Sequence, residues 1–224
     1  MNLPPSLVVA LCGVGAYLLG AIPFGLVIAR FKGVDIRQVG SGNVGATNVF
    51  RSVGKGLGIL TFALDVWKGW LSAWGSGRLI AGMPDGASGW SPEAVSVACG
   101  ILAVVGHNWP IYLHFKGGKG IATSAGALLG FAPLATGVGL LTWVVVFTAT
   151  RYVSVGSMVA CLAVPVVGWW RYDGRLIPVT LTLLGLVGIW RHRANIRRLL
   201  DGTEHRFGRR PDGDASAPKG GTGA

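Results

Sequence analysis

Charge is scarce in this chain. Asp, Glu, Lys and Arg make up 13% of its 224 residues, against about 25% in soluble domains. The shortfall is concentrated in long uncharged runs, which argues against an ordinary water-soluble domain. Acidic residues are scarcest, at 9 against 20 basic ones. Cysteine occurs only at Cys12, Cys99 and Cys161, each inside an apolar run. That excludes a disulfide framework and a cysteine metal site, and the three read as small buried hydrophobes. No H-E-x-x-H and no Cys/His cluster occurs, so no metal site is expected. No Gly-x-Ser-x-Gly elbow is present, and no histidine has an aspartate five positions later, so the His-x-x-x-x-Asp dyad of the common glycerolipid acyltransferases is missing. Ten-residue alternating segments, the mark of a membrane β-barrel, are absent as well.

What the chain has instead is hydrophobic length. Residues 6–31, 57–81, 93–115, 121–150, 152–170 and 176–190 are apolar runs, and the mean hydropathy is +0.54. About 20 apolar residues cross a bilayer as a helix, and helices satisfy their own backbone polar groups in lipid. The run at 121–150 is long for one span and short for two. Pro133 near its middle suggests two short helices, with one kinked, tilted helix as the alternative. The split gives an all-α integral membrane protein of about seven transmembrane helices. The first run has no basic flank ahead of it, so it reads as a retained span rather than a cleaved signal peptide. Residues 1–207 read as a single transmembrane catalytic domain. Residues 208–224, rich in Gly, Pro, Asp and Ser, read as a disordered cytoplasmic tail.

The net charge of +11 would also suit a nucleic-acid binder, but here it is distributed by loop. With seven spans, the basic residues at 30–55, Lys116, Lys119, Arg151 and those from Arg191 onward share one side. Only Arg78, Arg171 and Arg175 lie on the other, and Lys68 falls within a span. The positive-inside rule then puts the basic loops and the C-terminus in the cytoplasm and the N-terminus outside. Merging the fourth and fifth spans would divide the basic segments between the two faces. No nucleic-acid partner, no obligate protein partner and no cofactor is expected; membrane lipid is.

Three polar clusters interrupt the apolar pattern. The first is Gly40-Ser41-Gly42-Asn43-Val44-Gly45-Ala46-Thr47-Asn48-Val49-Phe50-Arg51. It contains a formal G-x-G-x-x-G, but no βαβ unit surrounds it, so a dinucleotide fold is not indicated. Glycines let backbone N–H groups approach an anion, Ser41, Asn43, Thr47 and Asn48 add neutral donors, and Arg51 supplies a fork suited to phosphate. Residues 46–51 could open a short helix whose N-terminus attracts phosphate. The competing reading is a flexible polar loop. The second cluster is Gly106-His107-Asn108-Trp109-Pro110 followed by Lys116-Gly117-Gly118-Lys119-Gly120-Ile121-Ala122-Thr123. Its spacing is not that of a Walker A loop. It reads as an anion loop or as a plain positive-inside connection, with His107 a structural histidine. The third is Arg191-His192-Arg193-Ala194-Asn195-Ile196-Arg197-Arg198, then Glu204. His192, Asn195 and, less closely, Arg198 share a helical face. A basic anchor for the last span needs neither a histidine nor an asparagine there, which favours a site. Asp65 and Lys68, an i,i+3 pair inside the second run, read as a mutually neutralising ion pair. Gly126 and Gly130 form a G-x-x-x-G, a sign of close helix packing.

Taken together, 40–51, Leu64-Asp65-Val66-Trp67-Lys68-Gly69, 106–123 and 192–207 resemble the bacterial acyl-phosphate:glycerol-3-phosphate acyltransferase family, with the order of spans matching from about residue 6 to 207. The resemblance implies a multi-span enzyme of the inner membrane. It would transfer a fatty acyl group from acyl phosphate to the 1-hydroxyl of glycerol 3-phosphate, giving 1-acylglycerol 3-phosphate (lysophosphatidic acid) and phosphate, the first step of phospholipid synthesis. It further implies that Ser41, Arg51, Lys119, His192 and Asn195 bind and orient glycerol 3-phosphate. Ala46, Thr47, Asn48 and the Gly117-Gly118 backbone would cradle the acyl phosphate, with Asn43 beside them. Glu204 would pair with an arginine and shape the site. The proton acceptor is either His192 or the acyl phosphate itself. The rival class is a membrane transporter or channel for an organic phosphate. It calls for polar residues near the bilayer midplane, whereas the dense clusters here sit at one interface.

Overall fold

The computed structural model describes residues 3–208 except 85 and 87; the tail expected to be disordered lies, but for Gly208, outside the described residues. Among them the chain is helical throughout, with no strand. The first apolar run forms α1 (Pro5–Ala21) and α2 (Phe24–Arg30), bent by 41°. Pro23 at the break explains the bend, because it offers no N–H to the preceding turn. A short helix, α3 (Ala46–Ser52), follows the first polar loop. The second run is α4 (Lys55–Trp70), a π-helical stretch (Leu71–Gly75) and α5 (Ser76–Ala81). Around that stretch the Ser72 hydroxyl donates to Lys68 O at 2.7 Å and the Ser76 hydroxyl to Ser72 O at 2.6 Å. Such back-bonding competes with the regular ladder.

Helix α6 (Pro92–Asn108) starts on a strong signal: Ser91 Oγ accepts from Ala94 N at 3.1 Å, with Pro92 and Glu93 in the first turn. A single 3-10 turn (Ile111–Leu113) leads to the glycine loop. The run at 121–150 is two helices, α7 (Ile121–Phe131) and α8 (Pro133–Thr150), broken at Ala132, with Pro133 in the first turn of α8. Helices α9 (Val153–Arg171), α10 (Leu176–Arg191) and α11 (Arg193–Leu200) complete the order.

Among the described residues three helical segments, Pro92–Leu113, α8 and α9, are long and apolar enough to cross a membrane. The bent α1–α2 pair makes a fourth if counted as one span, and α7 and α10 are apolar but shorter. Neighbours pack as α1 on α6, α4 on α7, α8 on α9 and α9 on α10. Glycine sets two of these contacts. A Cβ on Gly126 would overlap the Val66 carbonyl, and one on Gly69 the Thr123 carbonyl, so α4 and α7 meet backbone to backbone; Gly20 and Gly106 play the same part between α1 and α6.

Polarity is arranged inside out. Asn48, Thr61, Asp65, Lys68, His107, Asn108, Thr123, His192 and Asn195 are buried, whereas Leu140, Leu141, Val145, Leu162, Val166, Leu183 and Leu186 on α8, α9 and α10 face outward. A surface of this kind suits lipid as solvent, and the internal polar groups must then find partners within the protein.

Candidate active site

The first polar loop is organised by Asn48, which is 1% exposed. Its Nδ2 donates to Ile36 O (3.1 Å), Val39 O (3.0 Å) and Asn43 O (3.0 Å), while its Oδ1 accepts from Ser41 N at 3.0 Å. The backbone N–H of Asn48 is also taken, by Gly45 O at 3.0 Å. Asn48 was expected to contact substrate; its carboxamide and N–H bond within the loop. Gly40, at φ 59° and against the Asn48 carboxamide, has a conformation and a contact that a side chain would not tolerate. Asn43 Oδ1 accepts from Gly45 N at 2.8 Å, turning the chain into α3. The N–H groups of Ala46 and Thr47 then precede the first helical bond. Ser41 is exposed at the loop's edge, and Arg51 lies in the last turn of α3, half-buried, with Nε unpartnered. Burial holds the Arg51 pKa below its usual value, against the opposing charge of Glu204.

The second loop folds back along the end of α6. Gly118 N donates to His107 O (3.1 Å) and Gly117 N to Asn108 O (3.2 Å). Gly118 packs on the His107 ring, where a Cβ would overlap Nε2. His107 Nδ1 is 3.5 Å from Asp65 Oδ1, Asp65 pairs with Lys68 at 2.8 Å, and Lys68 donates to Ile22 O at 3.0 Å. Asp65, Lys68 and His107 thus form a buried chain from the α1–α2 break to the underside of the glycine loop, where His107 meets Gly118. Lys119 follows. Burial, with Arg198, Arg51 and Arg191 adding to it and Glu204 opposing, brings its pKa down to about 8.

The third cluster hangs on Glu204. Its Oε1 accepts from Asn195 Nδ2 (2.7 Å) and Ser154 Oγ (2.8 Å), and its Oε2 from Arg198 Nε (2.7 Å). These bonds hold its pKa down against burial, which raises it. Asn195 keeps a buried, unpartnered Oδ1. His192, 2% exposed at the joint between α10 and α11, sets Nδ1 against Gly188 O at 2.8 Å. Burial, with the Lys119 ammonium adding to it, lowers its pKa to about 4. A neutral imidazole facing a carbonyl through Nδ1 must donate there, leaving the Nε2 lone pair free.

The three clusters converge. Arg51, Lys119, His192 and His205 all lie within electrostatic reach of Glu204. Arg198 lies within reach of both Arg51 and Lys119. Three cations, Arg51, Lys119 and Arg198, around one carboxylate leave an excess of positive charge suited to phosphate. Ser154 was not foreseen; its partner lies 50 residues on, and a serine in the first turn of a helix carries no signal of its own. Asn108 and Thr123, both fully buried with unpartnered side-chain atoms beside this loop, were read only as parts of the motif.

The model of the family described as glycerol-3-phosphate acyltransferase matches residues 10–202. A glycerol-3-phosphate acyltransferase of Methylobacillus flagellatus is 43% identical over 198 residues, which is 88% of this chain and 96% of that one. One of Aquifex aeolicus is 44% identical over 196 residues, 86% of this chain and 95% of that one. The crystal structure of PlsY (YgiH), an integral membrane glycerol 3-phosphate acyltransferase, in its glycerol 3-phosphate form is similar with a TM-score of 0.81 at 40% identity, covering 89% of this chain and 96% of that one. Its lysophosphatidic acid form gives 0.78 at 39% identity, covering 89% and 95%. With the family model spanning most of its length and such relatives matched nearly end to end, the chain belongs to the glycerol-3-phosphate acyltransferase family.

Proposed function

We propose that this protein transfers a fatty acyl group from acyl phosphate to the 1-hydroxyl of glycerol 3-phosphate, releasing 1-acylglycerol 3-phosphate and inorganic phosphate. The observation that carries the reading is the convergence of Arg51, Lys119 and His192, from three distant segments, around a Glu204 already neutralised by Arg198. The excess positive charge fits two anionic substrates brought together. In this reading Arg51 and Lys119 hold the phosphate of glycerol 3-phosphate, and Ser41, His192 and Asn195 orient its hydroxyls. Ala46, Thr47, Gly117 and Gly118 surround the head of the acyl phosphate, with Asn43 and Asn48 fixing the loop.

The hydroxyl oxygen attacks the acyl carbon, the bond from that carbon to the phosphate oxygen breaks, and the hydroxyl proton passes to the departing phosphate. His192, with a pKa of about 4, is too weak a base to drive that transfer and serves better as a neutral orienting group. The acyl chain lies among the apolar faces of the helices. Counting α1–α2, α4–α5, α6, α7, α8, α9 and α10 as seven crossings puts all three polar clusters on the cytoplasmic face of the cell membrane and the N-terminus outside, with 1–207 as one catalytic domain. The test is to incubate the purified protein in lipid with acyl phosphate and glycerol 3-phosphate and identify the lipid formed. The expected product is 1-acylglycerol 3-phosphate; free fatty acid alone would contradict the reading.

A further inference from the structure

Arg191, the last residue of α10, differs from the other cations near the site. Its Nε donates to Gly118 O at 3.0 Å, and its Nη2 donates to Gly117 O at 2.8 Å and also to Gly118 O. Its guanidinium lies over the rings of Trp109 and Trp190, 5.6 and 5.9 Å from their centroids. One flat cation is therefore occupied along its fork by two successive carbonyls, with indole rings beside it. Arg51, by contrast, keeps Nε free.

The geometry has a direct consequence for the loop. In a trans peptide the C=O and N–H point in opposite directions. With the Gly117 and Gly118 carbonyls turned to Arg191, the N–H groups of Gly118 and Lys119 are turned away from it. The Gly118 N–H is then met by His107 O at 3.1 Å. The Lys119 N–H meets no backbone acceptor among the described residues. The glycine loop is thus gripped from two sides, by Arg191 through its carbonyls and by the end of α6 through its N–H groups. Without the clamp, the Gly118–Lys119 peptide, whose N–H has no backbone partner among the described residues, would be free to rotate.

We propose that Arg191 is a positioning residue: it fixes the Gly117–Gly118–Lys119 peptides so that the Lys119 N–H is presented to the head of the acyl phosphate, and it does not bind substrate itself. This deepens the reaction proposed above and rests on it. It also explains why an arginine closes α10, since lysine could anchor a span in the membrane interface equally well but offers no fork and a poorer partner for the indoles.

Steady-state kinetics of Arg191→Lys and Arg191→Ala in lipid test it, alongside the wild type. Loss of a charged hydrogen-bond pair from a loop should raise KM for acyl phosphate about tenfold in Arg191→Lys and more in Arg191→Ala, while kcat at saturation stays near wild type. Added guanidinium ion should lower the KM of Arg191→Ala, and ammonium at the same ionic strength should not. A wild-type KM in Arg191→Lys would overturn the inference. So would a fall in kcat at unchanged KM, which marks a transition-state contact, or an unrescued loss accompanied by a lowered Tm in both variants, which marks a merely structural role. A wild-type protein that forms no acylglycerol phosphate would instead strike at the reaction itself.

Discussion

Among single residues, Lys119 makes the site sensitive to pH near neutrality and His192 does not. Lys119 is protonated at neutral pH and loses its charge as pH rises through about 8 in the free protein. Glycerol 3-phosphate is fully ionised over that range, since phosphate monoesters have a second pKa of about 6. kcat/KM for glycerol 3-phosphate should therefore fall above pH 8, and Lys119→Arg should move that limb upward; a flat profile to pH 10 would contradict it. His192, at about 4, is neutral throughout. His192→Asn should accordingly keep a measurable kcat with a raised KM for glycerol 3-phosphate, whereas a folded variant that binds both substrates yet is inactive would mark the imidazole as the base. Arg51→Ala removes a charged clamp costing roughly 1.5–3 kcal/mol, so about ten- to more than a hundredfold in kcat/KM should go, and Arg51→Lys should restore only part. The types of these residues were legible in the sequence, because a basic residue amid glycines has few other uses in an apolar chain. The work of Asn48 and Arg191 was not. Both bond to backbone carbonyls, and a carbonyl leaves no mark in sequence.

At the level of helices, the signals that could be read were the chemical ones. Pro133 ends α7 and starts α8, and Ser91-Pro92-Glu93 opens α6, because proline and capping residues act through covalent geometry and local bonds. The π-helical stretch after Trp70 was not foreseen; serine back-bonding occurs in regular helices too and marks no particular pitch. Nor could periodicity reveal that the segment after α11 turns back to α9. That turn depends on Glu204, which ties Ser154, Asn195 and Arg198 together, and on Phe207, whose N–H donates to Arg151 O at 2.9 Å and whose ring meets Phe50 and Phe147. Glu204→Ala strands three donors and should lower both Tm and activity, at a cost of about 1–3 kcal/mol. Glu204→Gln, which can still accept from Ser154 and Asn195, should lose less in a thermal melt. Equal losses in the two variants would show that charge alone matters there. Gly118→Ala should raise KM for acyl phosphate, since its Cβ would overlap the His107 ring.

The described residues form a set of apolar helices with buried polar groups between them, and the all-helical membrane class followed from hydrophobic length alone. The number of crossings is less directly given: α7 and α10 are short, so charge between the runs has to decide. Single cysteines in a protein freed of Cys12, Cys99 and Cys161 test the arrangement. A membrane-impermeant thiol reagent outside sealed cells should label position 89 and leave positions 42 and 117 untouched; outside labelling of either of the latter would reverse the topology. The central claim, that this interface joins an acyl phosphate to glycerol 3-phosphate, is tested most directly by donor choice. The purified protein is supplied in lipid with glycerol 3-phosphate and either acyl phosphate or acyl-CoA, and acylglycerol phosphate and inorganic phosphate are measured together. The account predicts equal amounts of the two products from acyl phosphate, dependent on glycerol 3-phosphate, and negligible transfer from acyl-CoA. Comparable rates from both donors, or phosphate released without acyl transfer, would contradict it.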